Sequence, residues 1–259
     1  MTELQNVTAG YGEKTVLHDI SLAFPPGTVT AVLGPNGCGK STLLKAAAGL
    51  LPIDAGRVLC PGPRARSIAY LPQSRTLPEM TAGQLVLHGR FPWLRWPRRY
   101  RPEDLAAARA AMDRLGIAEL AERPLSELSG GTRQKCYLAM ALAQNAPAIL
   151  LDEPTSFLDV GHQLRLMALC RELAAEGKAL VLVLHDLPLA LGWADRIAVL
   201  ESGRLAALGT PEEIYERGIL DRIFGVRVLK LDTEAGRQYI CIPPPGSARP
   251  GSAGGQTRD

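Results

Sequence analysis

Hydrophobic positions change their spacing several times along the chain, and each change predicts a change of element. Residues 3 to 33 alternate short β-type runs with turn signals. Within them, Val29-Thr-Ala-Val-Leu33 follows the breaker Pro25-Pro26-Gly27 and runs into a glycine-rich loop, so a strand feeding a loop is predicted. From Ser41 onward, Thr-Leu-Leu-Lys-Ala-Ala-Ala-Gly-Leu is dominated by strong helix formers and predicts a helix.

Residues 75 to 135 differ in character. Pro102-Glu-Asp-Leu-Ala-Ala-Ala-Arg-Ala-Ala-Met-Asp-Arg-Leu predicts a helix, with acids in its first turn and Arg114 near its end, where each charge suits the helix dipole. From Ala148 a buried parallel-sheet pattern resumes: the strand Ile149-Leu-Leu151, a helix over 160–176, and the strand Ala179-Leu-Val-Leu-Val-Leu184. Arg196-Ile-Ala-Val-Leu-Glu-Ser-Gly-Arg-Leu-Ala-Ala-Leu predicts a hairpin turning at Ser202-Gly203. The whole is read as an α/β fold with a mainly parallel sheet, an antiparallel β portion from the N-terminal third and an inserted α-helical subdomain. Residues 1–74 and 136–242 form the α/β core, and 75–135 form the insertion. From Pro243 the tail is rich in Pro, Gly and Ser and is expected to be disordered through residue 259. No internal repeat interrupts this order.

Composition narrows the classes. A chain of 259 residues with 46% hydrophobic and 21% charged residues can bury a large core, and a formal charge of +3 does not by itself argue for nucleic acid. The cysteines, Cys38, Cys60, Cys136, Cys170 and Cys241, are odd in number and show neither C-x-x-C nor metal-ligand spacing, so they are read as reduced cytosolic thiols. The N-terminus resembles no signal peptide, and no stretch approaches the roughly 18 apolar residues of a membrane span.

Three segments carry chemistry. Gly34-Pro35-Asn36-Gly37-Cys38-Gly39-Lys40-Ser41-Thr42 fits G-x-x-x-x-G-K-[ST], in which backbone N–H groups and a helix N-terminus cradle phosphates. Lys40 is the candidate for the β- and γ-phosphates and Ser41 for Mg²⁺. A plain glycine turn is the competing reading, and the strand before and helix after weigh against it. Ile149-Leu-Leu-Asp-Glu153 puts two acids at the end of an apolar strand. Asp152 suits organisation of Mg²⁺ and Glu153 suits a general base, while an acidic helix start before Pro154 is the alternative. Leu128-Ser129-Gly130-Gly131-Thr-Arg-Gln134 opens a second helical run as another anion-binding N-terminus. Two such loops beside one metal site predict that two copies of the chain complete each other's nucleotide sites.

These segments resemble the Walker A, signature and Walker B motifs of ATP-binding cassette (ABC) ATPases. The resemblance runs from about Tyr11 to Val226, with the motifs in the family's order. It implies the P-loop ABC ATPase fold, ATP and Mg²⁺ as cofactors, and ATP hydrolysis coupled to transmembrane transport. It further implies that Tyr11 stacks on adenine, that Gln73 touches Mg²⁺ and senses the membrane partner, that Asp159 belongs to a loop linking two nucleotide sites, and that His185 contacts the γ-phosphate. By the same resemblance the partners are a second copy of the chain, integral membrane permease subunits and a substrate-binding protein, and the location is the cytoplasmic face of the cell membrane. Thr132 stands where the signature often has Gln, and Phe157 where the linking loop often has Ala. Activity is expected to survive both, with altered ribose or interface contacts.

Asn36-Gly-Cys-Gly-Lys-Ser-Thr-Leu-Leu44, His88-Gly-Arg-Phe-Pro92, Ala139-Met-Ala-Leu-Ala-Gln144, Gly161-His-Gln163 and Ile219-Leu-Asp-Arg-Ile-Phe-Gly-Val226 are similar to the ATPases of importers for iron-siderophore complexes, haem and cobalamin. The competing class is a soluble cassette protein acting on nucleic acid or ribosomes. Arg90-Phe-Pro-Trp-Leu-Arg-Trp-Pro-Arg-Arg-Tyr-Arg101, which interleaves basic and aromatic residues, lends it some footing. By the resemblance, the same segment falls on the surface that docks on the membrane subunits near anionic lipid headgroups, and a solvated basic face is the third option. With one cassette and no heptad insertion, the chain is read as a transporter subunit without a nucleic-acid partner.

Overall fold

A computed structural model describes residues 1–73, 77–156, 158–234 and 236–244. Phe157 and the tail from residue 245 lie outside them. The chain opens with β1 (Thr2–Tyr11) and β2 (Lys14–Phe24), an antiparallel pair, then β3 (Val29–Leu33), whose end leads into the glycine loop and α1 (Lys40–Ala48). β4 (Ala55–Leu59) returns to pair with β1, and α2 (Arg64–Ser67) leads to β5 (Ile68–Leu71). Three helices follow: α3 (Ala82–His88), α4 (Pro102–Arg114) and α5 (Gly130–Ala143). Thr81 and Gln84 close a capping box at the start of α3, and Asp104 accepts from the Arg101 N–H at the start of α4. The core resumes with β6 (Ala148–Asp152), α6 (Val160–Ala175), β7 (Ala179–Val183) and α7 (Leu187–Trp193). β8 (Arg196–Glu201) and β9 (Arg204–Gly209) form a hairpin, followed by α8 (Pro211–Glu216), α9 (Ile219–Phe224) and a closing hairpin of β10 (Arg227–Thr233) and β11 (Gly236–Ile242). The β8–β9 turn is at Ser202-Gly203, both with positive φ (48° and 75°), as the hairpin pattern predicts.

The central sheet has the order β5-β6-β7-β3-β8-β9, parallel except for β9, and a smaller antiparallel sheet has the order β2-β1-β4. Every residue of β3, β6 and β7 is buried. This explains why their sequences are continuous apolar runs rather than alternating ones: both faces are covered. The side-chain period of two then divides the core. Ala31, Leu33, Ile149, Leu151, Leu180 and Leu182 join one cluster, which also takes in α3, α4, α5 and α6. Val32, Leu150, Val181 and Val183 join another, shared with α1 and the antiparallel sheet.

The helical stretch is therefore not a separate core. Ala82, Leu85, Ala108 and Met112 pack into the same cluster as the sheet's Leu151 and Leu180. α5 also runs unbroken across position 135, where the sequence pattern places a boundary, because Lys135-Cys-Tyr-Leu contains no breaker.

Thr30, within β3, is fully buried, and its hydroxyl has no hydrogen-bond partner among the described residues. A buried unsatisfied hydroxyl costs stability. Thr30→Val, close to isosteric, is expected to raise stability by about 1 kcal/mol in thermal or urea denaturation; a lowered midpoint would mean that the hydroxyl has a native partner.

Candidate functional site

The glycine loop connects the buried strand β3 to α1. Gly34, Gly37 and Gly39 have φ of 154°, 78° and 107°, backbone conformations that favour glycine. Lys40, the first residue of α1, is 6% exposed, and its Nζ donates to the carbonyls of Gly34 (2.7 Å) and Pro35 (3.0 Å). Among the described residues no carboxylate lies within ion-pair distance of it. A buried ammonium held only by neutral carbonyls lacks a counter-charge, so a polyphosphate in this loop fits the donor set. The β8–β9 turn fixes the loop from behind: Gly203 N–H donates to the Cys38 carbonyl (3.1 Å), and the Gly203 carbonyl accepts from His18 N–H (2.8 Å). A Cβ on Gly203 would lie 2.0 Å from the Val16 carbonyl oxygen, so the approach requires glycine.

Beside the loop, β6 ends in Asp152, which is 3% exposed. Ser41 Oγ donates to its Oδ1 (3.0 Å) and Tyr70 hydroxyl to its Oδ2 (3.1 Å). Burial pushes the Asp152 carboxyl above its ordinary range; the bonds from Ser41 and Tyr70 offset part of that, and the neighbouring Glu153 charge adds to it. A dication next to Ser41 would reverse the balance in favour of the ionised form. A hydroxyl and one carboxylate suit Mg²⁺, which takes its remaining ligands from phosphate and water.

Glu153 has φ of +50°, a strained conformation for a residue with a side chain. Its carboxylate accepts from Gln73 Nε2 and from Ser156 Oγ (3.2 Å), and His185 Nε2 lies 2.6 Å from Oε1. The predicted residues Lys40, Ser41, Gln73, Asp152, Glu153 and His185 thus come together. The reason is topological: each lies at or beyond the carboxyl end of one of four adjacent strands, β5, β6, β7 and β3, where open α/β sheets bind ligands.

Other predicted residues lie around this centre. Tyr11, at the end of β1, is 48% exposed, with Lys45 Nζ of α1 at 5.9 Å from its ring centroid. Ser129 caps α5, accepting from Thr132 N–H (3.3 Å), and its hydroxyl lies 2.9 Å from Thr132 Oγ1. Gly130 and Gly131 form the first turn of α5; neither has positive φ, and a Cβ on either would meet nothing within 4 Å. Asp159 caps α6, accepting from His162 N–H (2.8 Å) with its other oxygen 2.8 Å from His162 Nδ1. These bonds hold the Asp159 carboxyl below its usual range. Ser129, Gly131 and Asp159 line one cleft, and they share no hydrogen bond or ion pair with Lys40, Ser41, Asp152 or Glu153 among the described residues.

Sequence reasoning gave no part in the site to Tyr70, to Gly203, which it placed only in the hairpin turn, or to Gln134, whose Nε2 donates to the Pro154 carbonyl (3.1 Å). Tyr70 reaches Asp152 only because β5 pairs in parallel with β6, and Gly203 reaches the loop only because the β8–β9 turn folds back on it.

The sequence model of the ABC transporter family matches residues 17–156. The ferric enterobactin transport ATP-binding protein of Escherichia coli (strain K12) is 39% identical over 250 residues, covering 92% of each chain. A hemin import ATP-binding protein of Streptomyces coelicolor (strain ATCC BAA-471 / A3(2) / M145) is 44% identical over 223 residues, covering 82% of this chain and 79% of that protein. Among solved structures, a chain of an ABC transporter described as of metal-chelate type, in an inward-facing conformation, superposes with a TM-score of 0.83 at 26% identity, covering 94% of this chain and 98% of that one. A bacterial ABC transporter cassette solved as a dimer superposes with a TM-score of 0.71 at 28% identity, covering 82% of this chain and 99% of that one. A phosphate loop, a strand-end acid pair and a capped signature helix on this topology, matched by relatives along nine-tenths of the length, make the chain a member of the ABC transporter family, an ATP-binding and ATP-hydrolysing cassette.

Proposed function

We infer that this chain energises an importer for iron-siderophore complexes, haem or cobalamin, working as a homodimer against integral membrane permease subunits at the cytoplasmic face of the membrane, with a substrate-binding protein upstream. The cargo class is supported by relatives whose names specify ferric enterobactin, achromobactin and hemin. The membrane partner is supported by family membership together with the described residues, which contain no helix long and apolar enough to cross a bilayer.

The observation that carries the hydrolytic assignment is the position of Glu153 beside the phosphate loop, held by Gln73, Ser156 and His185. ATP in the loop replaces the carbonyls of Gly34 and Pro35 as the partner of Lys40. Ser41, Asp152 and Gln73 would hold Mg²⁺, which when bound spreads the charge of the phosphate oxygens. Glu153 orients a water and takes its proton, and His185, exposed next to Glu153, reaches the γ-phosphate side.

Dimerisation is supported by an economy in α5. Gly130 and Gly131 weaken a helix start without serving a positive φ or a tight contact inside the chain. Their value lies in letting a phosphate of the opposing copy's nucleotide approach the backbone, next to Ser129.

Glu153→Gln is expected to bind ATP, to lose turnover by about 100-fold or more and to accumulate as a dimer in light scattering. Turnover close to the parent's would remove Glu153 from the role. Lys40→Ala should instead weaken nucleotide affinity itself, measured by titration with a fluorescent ATP analogue.

Gly131→Ala is expected to leave the thermal midpoint unchanged or to stabilise the chain by about 0.5 kcal/mol, while abolishing ATP-driven dimerisation and most turnover. A variant that loses activity only in step with lost stability would place the glycine in the fold and not at the interface. Reconstitution with the co-purifying permease and binding protein identifies the cargo as the ligand that stimulates hydrolysis; stimulation by none of the iron chelates, haem or cobalamin would overturn the importer class.

A further inference from the structure

A dense positive group lies away from the nucleotide site. The segment Arg90–Arg101 contains five arginines and no acid. With Arg66 of α2, its Arg90, Arg95, Arg99 and Arg101 surround a cleft of about 210 Å³. Two carboxylates face the same cleft, and both are engaged: Asp104 by Arg90 at 2.9 Å and Glu103 by Arg101 at 3.6 Å. Among the described residues, Arg66, Arg95 and Arg99 have no carboxylate partner. Like charges gathered around one cleft repel, and an anion presenting several oxygens relieves that repulsion while using the planar donors of guanidinium.

The aromatics of the segment divide into two kinds. Trp93 belongs to the fold: its Nε1 donates to the Gln144 carbonyl (2.7 Å), and the guanidinium groups of Arg66 and Arg90 lie 5.1 and 5.2 Å from its ring centroid. Trp96 is 91% exposed, between Arg95 and Arg98. Phe91 is half exposed, with the Arg98 guanidinium 4.8 Å from its ring centroid. An indole fully in water beside unpaired arginines matches the composition of a membrane interface, where the ring sits at headgroup level and guanidinium binds phosphate. A track for single-stranded nucleic acid needs successive free rings on which bases stack; here Trp93 is packed, Arg98 covers Phe91 and Tyr100 is half-buried, so Trp96 is the one fully exposed ring of the segment among the described residues.

We propose that the arginine cleft and Trp96 form a docking surface for anionic phospholipid headgroups, a direct contact of the cassette with the bilayer in addition to its permease. The proposal rests on the transporter reading for the presence of a bilayer. It gives a chain anchored by its partner a second, salt-sensitive hold that orients it on the membrane.

The experiment is co-sedimentation of the full chain, without permease, with vesicles of phosphatidylcholine alone or with added phosphatidylglycerol. Binding is expected to the anionic vesicles only and to fall as salt rises. The double variant Arg95→Ala, Arg99→Ala should bind about 25-fold more weakly, at about fivefold per arginine, and Trp96→Ala several-fold more weakly. ATP turnover and thermal midpoint should match the parent's in both, since these side chains lie outside the nucleotide site and on the surface. Equal sedimentation with both vesicle types, or an undiminished double variant, overturns the proposal. So does tighter binding of single-stranded RNA than of anionic vesicles, or a parent that ignores vesicles while the double variant fails to co-purify with the permease. A parent that hydrolyses ATP but ignores anionic vesicles overturns the lipid contact alone, whereas a parent without ATP turnover counts against the transporter-ATPase reading.

Discussion

The parallel pairing of four buried strands is the constraint on which the site depends. β5, β6, β7 and β3 point the same way and end at one edge, so residues far apart in sequence, Ser41 with Asp152 and Gln73 and His185 with Glu153, meet within hydrogen-bonding reach. Burial of both sheet faces makes that edge stiff. One core packs beneath the helical stretch and the other beneath the antiparallel sheet, so a shift of either layer disturbs the strands that lead to these side chains.

Polar groups at this edge hold one another in place. Ser41 and Tyr70 orient Asp152; Gln73, Ser156 and His185 hold Glu153, whose backbone is strained. Lys40 donates to the carbonyls of Gly34 and Pro35. Such pre-positioning lowers the reorganisation needed when charge develops on a transferring phosphoryl group. The strain at Glu153 is sustained by the bonds around it, and the turn at Gly203 braces the opposite side of the same loop.

The signature helix shows a different economy. Its glycines weaken a helix start that Ser129 and Thr132 then support by capping. Thr132 departs from the commoner Gln of the family, yet its hydroxyl adds a bond to the very serine that caps the helix. The cleft holding Ser129, Gly131 and Asp159 shares no lining residue with the phosphate loop of the same chain.

From the sequence alone, the phosphate loop, the acid pair, the signature turn and the Ser202-Gly203 hairpin were legible, because each depends on short-range chemistry: positive φ at glycine, a strand end, a helix cap. The buried strands were legible because two covered faces leave a continuous apolar run. Only the tertiary structure decided the strand order, the reach of Tyr70 to Asp152, the grip of Gly203 on the loop and the merging of the helical stretch with one sheet core. It also separated Trp93, packed between arginines, from Trp96, left in water, though both stand in the same basic string. Those features depend on which distant segments become neighbours, and local residue patterns do not encode that pairing.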